Sequence, residues 1–342
     1  MAHSNNVLQE VEVGDIVGPT VLADLIGEEV REDTGIFTLA GALHDHRIDE
    51  FARILRFARS DTKVAYKFRL EWPDELDEGS VRREESRLQD SFLRAGLVEH
   101  ANSDRVIERL RQYDDVIVGV DTNILWDCTL TSQLLPRIYE EEFPNWILIA
   151  IPKLVMAETE NGANNKIGGD DHPRQGWPTY KARLAQRGLQ ELMMLRQRDP
   201  DRPGLAVMTV GELSREHDEV DQHNWKLDSQ IRSQFQRFLA DISFHKGTFF
   251  LSQDRVNVMM SGTEGADGLY LQKPRISEFN EGEFTDANFT ALLYELAVQF
   301  GGVRLRSTGD RDLGMCLDVF WPGKQVSDWR RSRLKVSELQ RG

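Results

Sequence analysis

A chain of 342 residues with 40% hydrophobic and 29% charged residues has the make-up of a globular protein, long enough for two domains or for one with extensions. No apolar run approaches the ~18 residues of a membrane span, and residues 1–6 lack a charged region followed by an apolar core, so the expected location is cytoplasmic and no membrane is expected as a partner. The net charge of −15 excludes broad electrostatic attraction to nucleic acid, although not a local basic patch or a contact bridged by metal.

Residues 1–112 read as a mainly helical region without a chemical motif. Ile48, Phe51, Ile54, Leu55 and Ala58 share one helical face. Residues 64–70 alternate as a strand does and stop at Trp72 and Pro73. The charged stretch 74–87 has the pattern of a solvated helix face or a linker. Phe92, Leu93 and Leu97, then Val106 and Leu110, mark two further helices.

From Val116 the pattern changes to alternating strands and helices, the signature of a parallel α/β sheet. Val116, Ile117, Val118, Gly119 and Val120 form a buried-strand run that ends on Asp121, followed by Thr122, Asn123, Ile124 and Leu125. A carboxylate at the end of a buried strand costs free energy unless a cation or donor meets it. Open α/β sheets also bind ligands beyond the carboxyl ends of their strands. The competing reading of Asp121 is a helix cap, for which Asp is well suited. Two cysteines, Cys128 and Cys316, are too few for a disulfide framework or a Cys-based zinc site and read as buried thiols.

Residues 146–151 form a second buried run, stopped by Pro152, and residues 153–160 open a helix. The Gly- and Asn-rich stretch 161–169, continuing to Pro178, reads as a loop. A helix carrying Lys181, Arg183, Arg187, Arg196 and Arg198 follows. Residues 205–210 are a third strand. Ile231, Phe235, Phe238 and Leu239 mark a helix with Asp228 near its start. Residues 248–252 form a fourth strand running into Gln253 and Asp254, and residues 269–271 a short fifth. Near the end, Thr285 or Asp286 caps a helix that closes at Gly301 and Gly302. Residues 315–321 follow as a strand, and the tail with Arg330, Arg331, Arg333 and Lys335 reads as solvated surface. Three segments result: 1–112, 113–274 with an insert at about 161–204, and 275–342.

Asp121, Glu158 and Asp254 each end a strand or lie just past one, and Asp228 starts the helix before the last of these strands. In a parallel sheet such positions converge on one edge. Clustered carboxylates repel unless a cation neutralises them, and oxygen-only ligation suits Mg²⁺ or Mn²⁺. Glu160, Asp218, Asp221 and Asp267 are rival acids at nearby positions. For Glu158 the plain alternative is a surface helix acid, and for Asp228 a charge favoured by the helix dipole.

Over about residues 113–274 the chain resembles the PIN-domain family of metal-dependent nucleases. The resemblance is carried by Val120, Asp121, Thr122, Asn123, Ile124 and Leu125; then Ile151, Pro152, Val155 and Glu158; then Asp228 with Ile231; then Leu251, Ser252, Gln253 and Asp254. It implies an α/β fold with a PIN-like parallel sheet flanked by helices, between the helical N-terminal region and a C-terminal helix–strand extension. It further implies hydrolysis of phosphodiester bonds, with RNA, single-stranded or structured, as the expected substrate. Asp121, Glu158, Asp228 and Asp254 would be both the catalytic and the Mg²⁺- or Mn²⁺-binding acids. Asn123 and Ser252 would orient those carboxylates or contact phosphate, although ordinary turn chemistry explains them equally well.

Lys166, Arg174, Lys181 and Arg183 are candidates for holding the substrate strand, with solvated surface as the plainer reading. Only 10 of the 42 basic residues are lysine, and guanidinium suits phosphate, although genome composition explains that bias equally. The interval from Glu158 to Asp228 is longer than a minimal domain of that family needs, which leaves room for a flap or a partner surface. A homo-oligomer or a protein partner through the N-terminal region is a further expectation. Two other function classes share the fold: a catalytically inactive binding or scaffold module, and a structure-specific DNA nuclease.

Overall fold

In the computed structural model, residues 7–12, 36–41, 51–60, 63–68, 77–140, 146–164, 179–196, 204–212, 224–242, 247–275, 281–284, 286–300, 302–307, 314–320 and 333–338 are described. The chain divides into two units. Met1–Val98, Asn164–Leu184 and Pro274–Gly342 form one, and Glu99–Ala163 with Ala185–Lys273 form the other. The strands in chain order are β1 (Val7–Glu12), β2 (Ile36–Gly41), β3 (Phe51–Ser60) and β4 (Lys63–Phe68), then β5 (Asp115–Val120), β6 (Trp146–Pro152), β7 (Leu205–Val210), β8 (Gly247–Ser252) and β9 (Asp267–Tyr270), and finally β10 (Glu281–Phe284), β11 (Gly302–Ser307), β12 (Gly314–Phe320) and β13 (Arg333–Glu338).

β5 to β9 build a five-stranded, all-parallel sheet in the order β7-β6-β5-β8-β9, flanked by helices. The fold class is therefore the α/β class expected, consistent with a PIN-like sheet. The reason lies in the apolar runs. β5, β6 and β8 are buried along nearly their whole length, whereas the edge strand β7 is buried only at Val210. Central parallel strands are covered on both faces and so read as continuous apolar segments. The chain steps outward from β5 to β6 and β7, then returns to β8 on the other side of β5. That reversal opens a crevice at the carboxyl ends of β5 and β8.

Gly119 interrupts the β-branched run of β5 for a packing reason. A Cβ there would lie 2.8 Å from ring carbons of Phe235, so only glycine lets that ring sit on the strand. Phe235 belongs to the helix Asn224–Ala240. Asp228, Ile231 and Phe235 recur at the i, i+3, i+7 spacing of one helical face. The close approach at Gly119 therefore seats the same face that carries Asp228.

β1 to β4 and β10 to β13 form a separate eight-stranded antiparallel sheet in the order β1-β13-β12-β11-β2-β3-β4-β10. The expectation of a mainly helical region before residue 112 is corrected here, because strands occupy described parts of residues 7–68. The helix expected at 48–58 is the strand β3. Phe51, Ile54, Leu55 and Ala58 fit a helical period, but Leu55 is in register with Leu39 and Phe68, and Phe57 with Phe37 and Tyr66. Apolar cross-strand partners on both sides outweigh a weak local period.

The helices expected after residue 77 are present as Glu78–Arg94 and Ser103–Leu110. At the C-terminal end, the expected helix is Asp286–Phe300 and the expected strand is β12. β11 and β13 were not expected. The antiparallel sheet therefore joins both terminal segments, which the sequence reading kept apart. The helix Lys153–Ala163 also runs further than expected, into the Gly- and Asn-rich stretch. Among the described residues, no helix is long and apolar enough to cross a membrane.

Candidate functional site

The acids meet at the crevice that the parallel sheet opens. Asp121 follows β5 directly, and its backbone amide still donates to the Leu251 carbonyl of β8 at 3.1 Å. Its side chain is buried and fully engaged. Oδ1 accepts from the Thr122 amide at 2.7 Å, capping the short helix Thr122–Trp126. Oδ2 accepts from Ser252 Oγ at 2.6 Å, Asn123 Nδ2 at 3.0 Å and Asn257 Nδ2 at 3.1 Å. The capping alternative is thus realised together with the strand-end placement. Four donors around one carboxylate fix its orientation and stabilise its charge.

Ser252, fully buried at the end of β8, serves both sides of the crevice. Besides donating to Asp121, its Oγ accepts from the Asp254 amide at 2.9 Å and from Asn123 Nδ2 at 3.3 Å. Asn123 Oδ1 in turn accepts from the Gln253 amide at 3.1 Å. Asn123 and Ser252 therefore knit the β5 and β8 ends together around Asp121. Asp254 is exposed, and its Oδ1 accepts from the Val256 amide at 2.7 Å, capping the helix Arg255–Thr263.

Glu158 lies one to two turns into Lys153–Ala163, where its Oε2 accepts from Thr122 Oγ1 at 2.6 Å. Two tethers hold that helix. Trp126 Nε1 donates to Thr159 Oγ1 at 3.1 Å. The Leu154 amide donates to Gln234 Oε1 at 3.0 Å, while Gln234 Nε2 donates to the Glu212 carbonyl at 2.7 Å. Gln234 belongs to Asn224–Ala240, so one buried amide ties the Glu158 helix to the Asp228 helix.

Asp228, half-buried, registers all of this company. Its carboxyl is pushed up to about 6, first by burial and next by the charge of Asp121, with Asp254 and Glu158 adding to the rise and a hydrogen bond from Asn257 opposing it. Asp121, Asp254 and Glu158 thus all act electrostatically on Asp228 at the sheet edge. Among the rivals, Glu160 is exposed, Asp267 pairs with Arg109 at 2.5 Å, and Asp218 and Asp221 lie outside the described residues.

A cluster with neither thiolate nor imidazole is an oxygen-only donor set, which suits a hard divalent ion such as Mg²⁺ or Mn²⁺. Burial contributes most to the raised proton affinity of Asp228, and the part added by the neighbouring carboxylates is repulsion of the kind such an ion relieves. The side chains are nevertheless not gathered tightly. Among the described residues, no three His, Cys, Asp or Glu side chains form a group able to hold one ion. The fit is therefore one of donor chemistry and charge.

The substrate-holding candidates fare differently. Arg183 is corrected: it is fully buried, and its Nε and Nη2 donate to the Val298 and Gln299 carbonyls at 2.6 and 3.1 Å. It closes the last turn of Asp286–Phe300, where orphan carbonyls favour a cation. Lys181 is exposed in the same unit, separate from the one that carries the acids. Lys166 and Arg174 lie outside the described residues. Cys128 is the buried thiol expected, and the side chain of Cys316 lies outside the described residues.

Thr122, Asn257 and Arg232 touch the site and were not foreseen. Asn257 stands three residues after Asp254, the spacing that returns to the same helical face, which was the available signal. Arg232, four residues after Asp228, carried the same one.

No protein-family model matches the chain, and neither does any curated protein. Among solved structures it is similar to a domain of a functionally unknown protein from Methanocaldococcus jannaschii DSM 2661. The two are 19% identical, with 46% of this chain and 92% of that chain covered, at a TM-score of 0.33.

Proposed function

We propose that the parallel-sheet unit is a PIN-like, metal-dependent nuclease that hydrolyses phosphodiester bonds in RNA. The observation that carries this reading is the effect of Asp121, Asp254 and Glu158 on the carboxyl of Asp228 at the carboxyl edge of a parallel sheet. Asp121 and Asp254 also cap helices, but capping gives no reason to set the half-buried Asp228 where three other carboxylates add to its raised proton affinity. In this reading they hold Mg²⁺ or Mn²⁺, which when bound supplies an acidified water and charge stabilisation for the departing oxygen. Asp121, fixed by four donors, keeps a constant orientation at the crevice floor. Ser252 and Asn123 hold the ends of β5 and β8 at one spacing, and Thr122 aims Glu158 inward. Asp254, exposed, is open to a phosphodiester arriving from solvent.

The test is cleavage of single-stranded RNA, with a DNA panel alongside, by the full chain in Mn²⁺ and in Mg²⁺. Asp121→Asn is expected to lower the rate roughly a hundredfold or more, because even partners outside the ligand shell cost 10–100-fold. Cleavage that survives this substitution overturns the reading, and preference for branched or flapped DNA redirects it to a DNA nuclease.

A further inference from the structure

The acid cluster contains a bridge that no carboxylate supplies. Asn257 is buried, and its amide nitrogen donates to Asp121 Oδ2 at 3.1 Å, while its side chain also lies close enough to Asp228 to oppose the rise in that acid's proton affinity. On its far side, Asn257 Oδ1 accepts from Arg232 Nη1. Arg232 is itself buried, and its Nε donates to Glu264 Oε2 at 3.2 Å.

The direction of this amide is not arbitrary. Guanidinium has donors only, so the carbonyl end of Asn257 must face Arg232 and the NH₂ end must face the acids. An Arg placed directly among the carboxylates would neutralise them and take the place a divalent ion needs. Set one amide away, it polarises the donor without entering the cluster.

Resting on the proposed metal site, we infer that Arg232 and Asn257 are positioning residues. Together they hold Asp121 and Asp228 side by side for a divalent ion, with the neutral amide keeping the guanidinium out of the ion's place. The pair joins the helices Asn224–Ala240 and Arg255–Thr263, which carry Asp228 and follow Asp254 respectively. Loss of either member lets the two acids separate.

The experiment is Mn²⁺ calorimetry on the full chain, as wild type, Asn257→Ala, Arg232→Met and the double variant. Circular dichroism and thermal melting in chelator establish that each is folded. Asn257→Ala and Arg232→Met should each weaken Mn²⁺ binding by about 10–100-fold. The double variant should be no weaker than the worse single one, because residues acting through one contact are not additive. As a readout on the wild type alone, the Asn257 side-chain amide NMR signal, assigned by its loss in Asn257→Ser, should shift on Mg²⁺ titration.

Wild-type-like binding in Asn257→Ala, strictly additive losses, or an Asn257 signal indifferent to Mg²⁺ overturns the inference while leaving the metal site standing. A wild type that binds no Mn²⁺ overturns the metal site itself, and the inference with it.

Discussion

The antiparallel unit and the parallel unit each draw a charge inside, and they treat it in opposite ways. Arg183 in the former is fully buried and meets two carbonyls at the end of a helix. Asp228 in the latter is half-buried and meets three more acids. A buried charge that is answered by its surroundings closes a structure. One that lies among charges of its own sign is held at a raised proton affinity. Arg183, one of the residues the sequence offers for holding nucleic acid, spends its guanidinium on two helix-end carbonyls, whereas Asp228, plain-looking at a helix start, carries a raised proton affinity.

That contrast can be broken at its strong end first. Arg183→Met keeps much of the side-chain volume but strips donors from two buried carbonyls, and should cost about 3 kcal/mol of stability. Chemical denaturation measures the loss. Activity per folded molecule should stay unchanged, and a selective loss of RNA cleavage would show Arg183 to be more than a helix closure.

Next comes Gly119→Ala, whose added methyl would stand 2.8 Å from the Phe235 ring. Overpacking of this kind should cost about 2 kcal/mol. Because Phe235 and Asp228 share a helix face, the displaced helix should also weaken Mn²⁺ binding. Stability loss without any change in ion affinity would separate the seat of the helix from the site it carries.

The smallest effect has the opposite sign. Asp228→Asn removes a carboxylate held at a raised proton affinity, and should stabilise the ion-free protein at pH 7 by about 1 kcal/mol once solvent screening of a half-exposed group is allowed for. Its folded value of about 6 lies above the ordinary 3.8, so the penalty is present above pH 6 and is relieved as pH falls from 6 towards 4. The melting-temperature gap between Asp228→Asn and wild type in chelator should therefore shrink over that range. A gap that widens on acidification refutes the assignment.

The difference measurement is needed because other groups titrate alongside. Glu191 is pushed up to about 7, chiefly by burial, and is relieved in the same direction. His100 is held below its ordinary value, chiefly by burial, and loses stability as pH falls below 6.5.

The two units also differ in how far they could be read from residues alone. β5, β6 and β8 are continuous apolar runs whose burial on both faces writes them into local sequence, and Asp121 and Asp254 stand at the ends of two of them. β3 was misread because Phe51, Ile54, Leu55 and Ala58 satisfy a helical period as well. Its identity rests on register with Leu39 and Phe68, which no local window contains. Arg183 looked like surface because nothing near it in sequence announces the Val298 and Gln299 carbonyls. Asn257 and Arg232 stayed hidden for a related reason: each lies on the face of an acid-bearing segment, but their meeting depends on two helices packing together.

The register of the antiparallel sheet bears on the order of events at the ribosome. Among the described residues β1 pairs with β13 alone, so that Gln9 finds its partner at Val336. The whole intervening chain must be made before that edge can close. β5 to β9 are complete once Tyr270 has emerged, and domains fold as units while synthesis, at ~5–20 residues per second, continues. The acid-bearing crevice is therefore assembled seconds before the antiparallel sheet is closed by β13. A nascent chain halted once Tyr270 has left the ribosome, with β13 not yet free, should already bury Phe235 against Gly119.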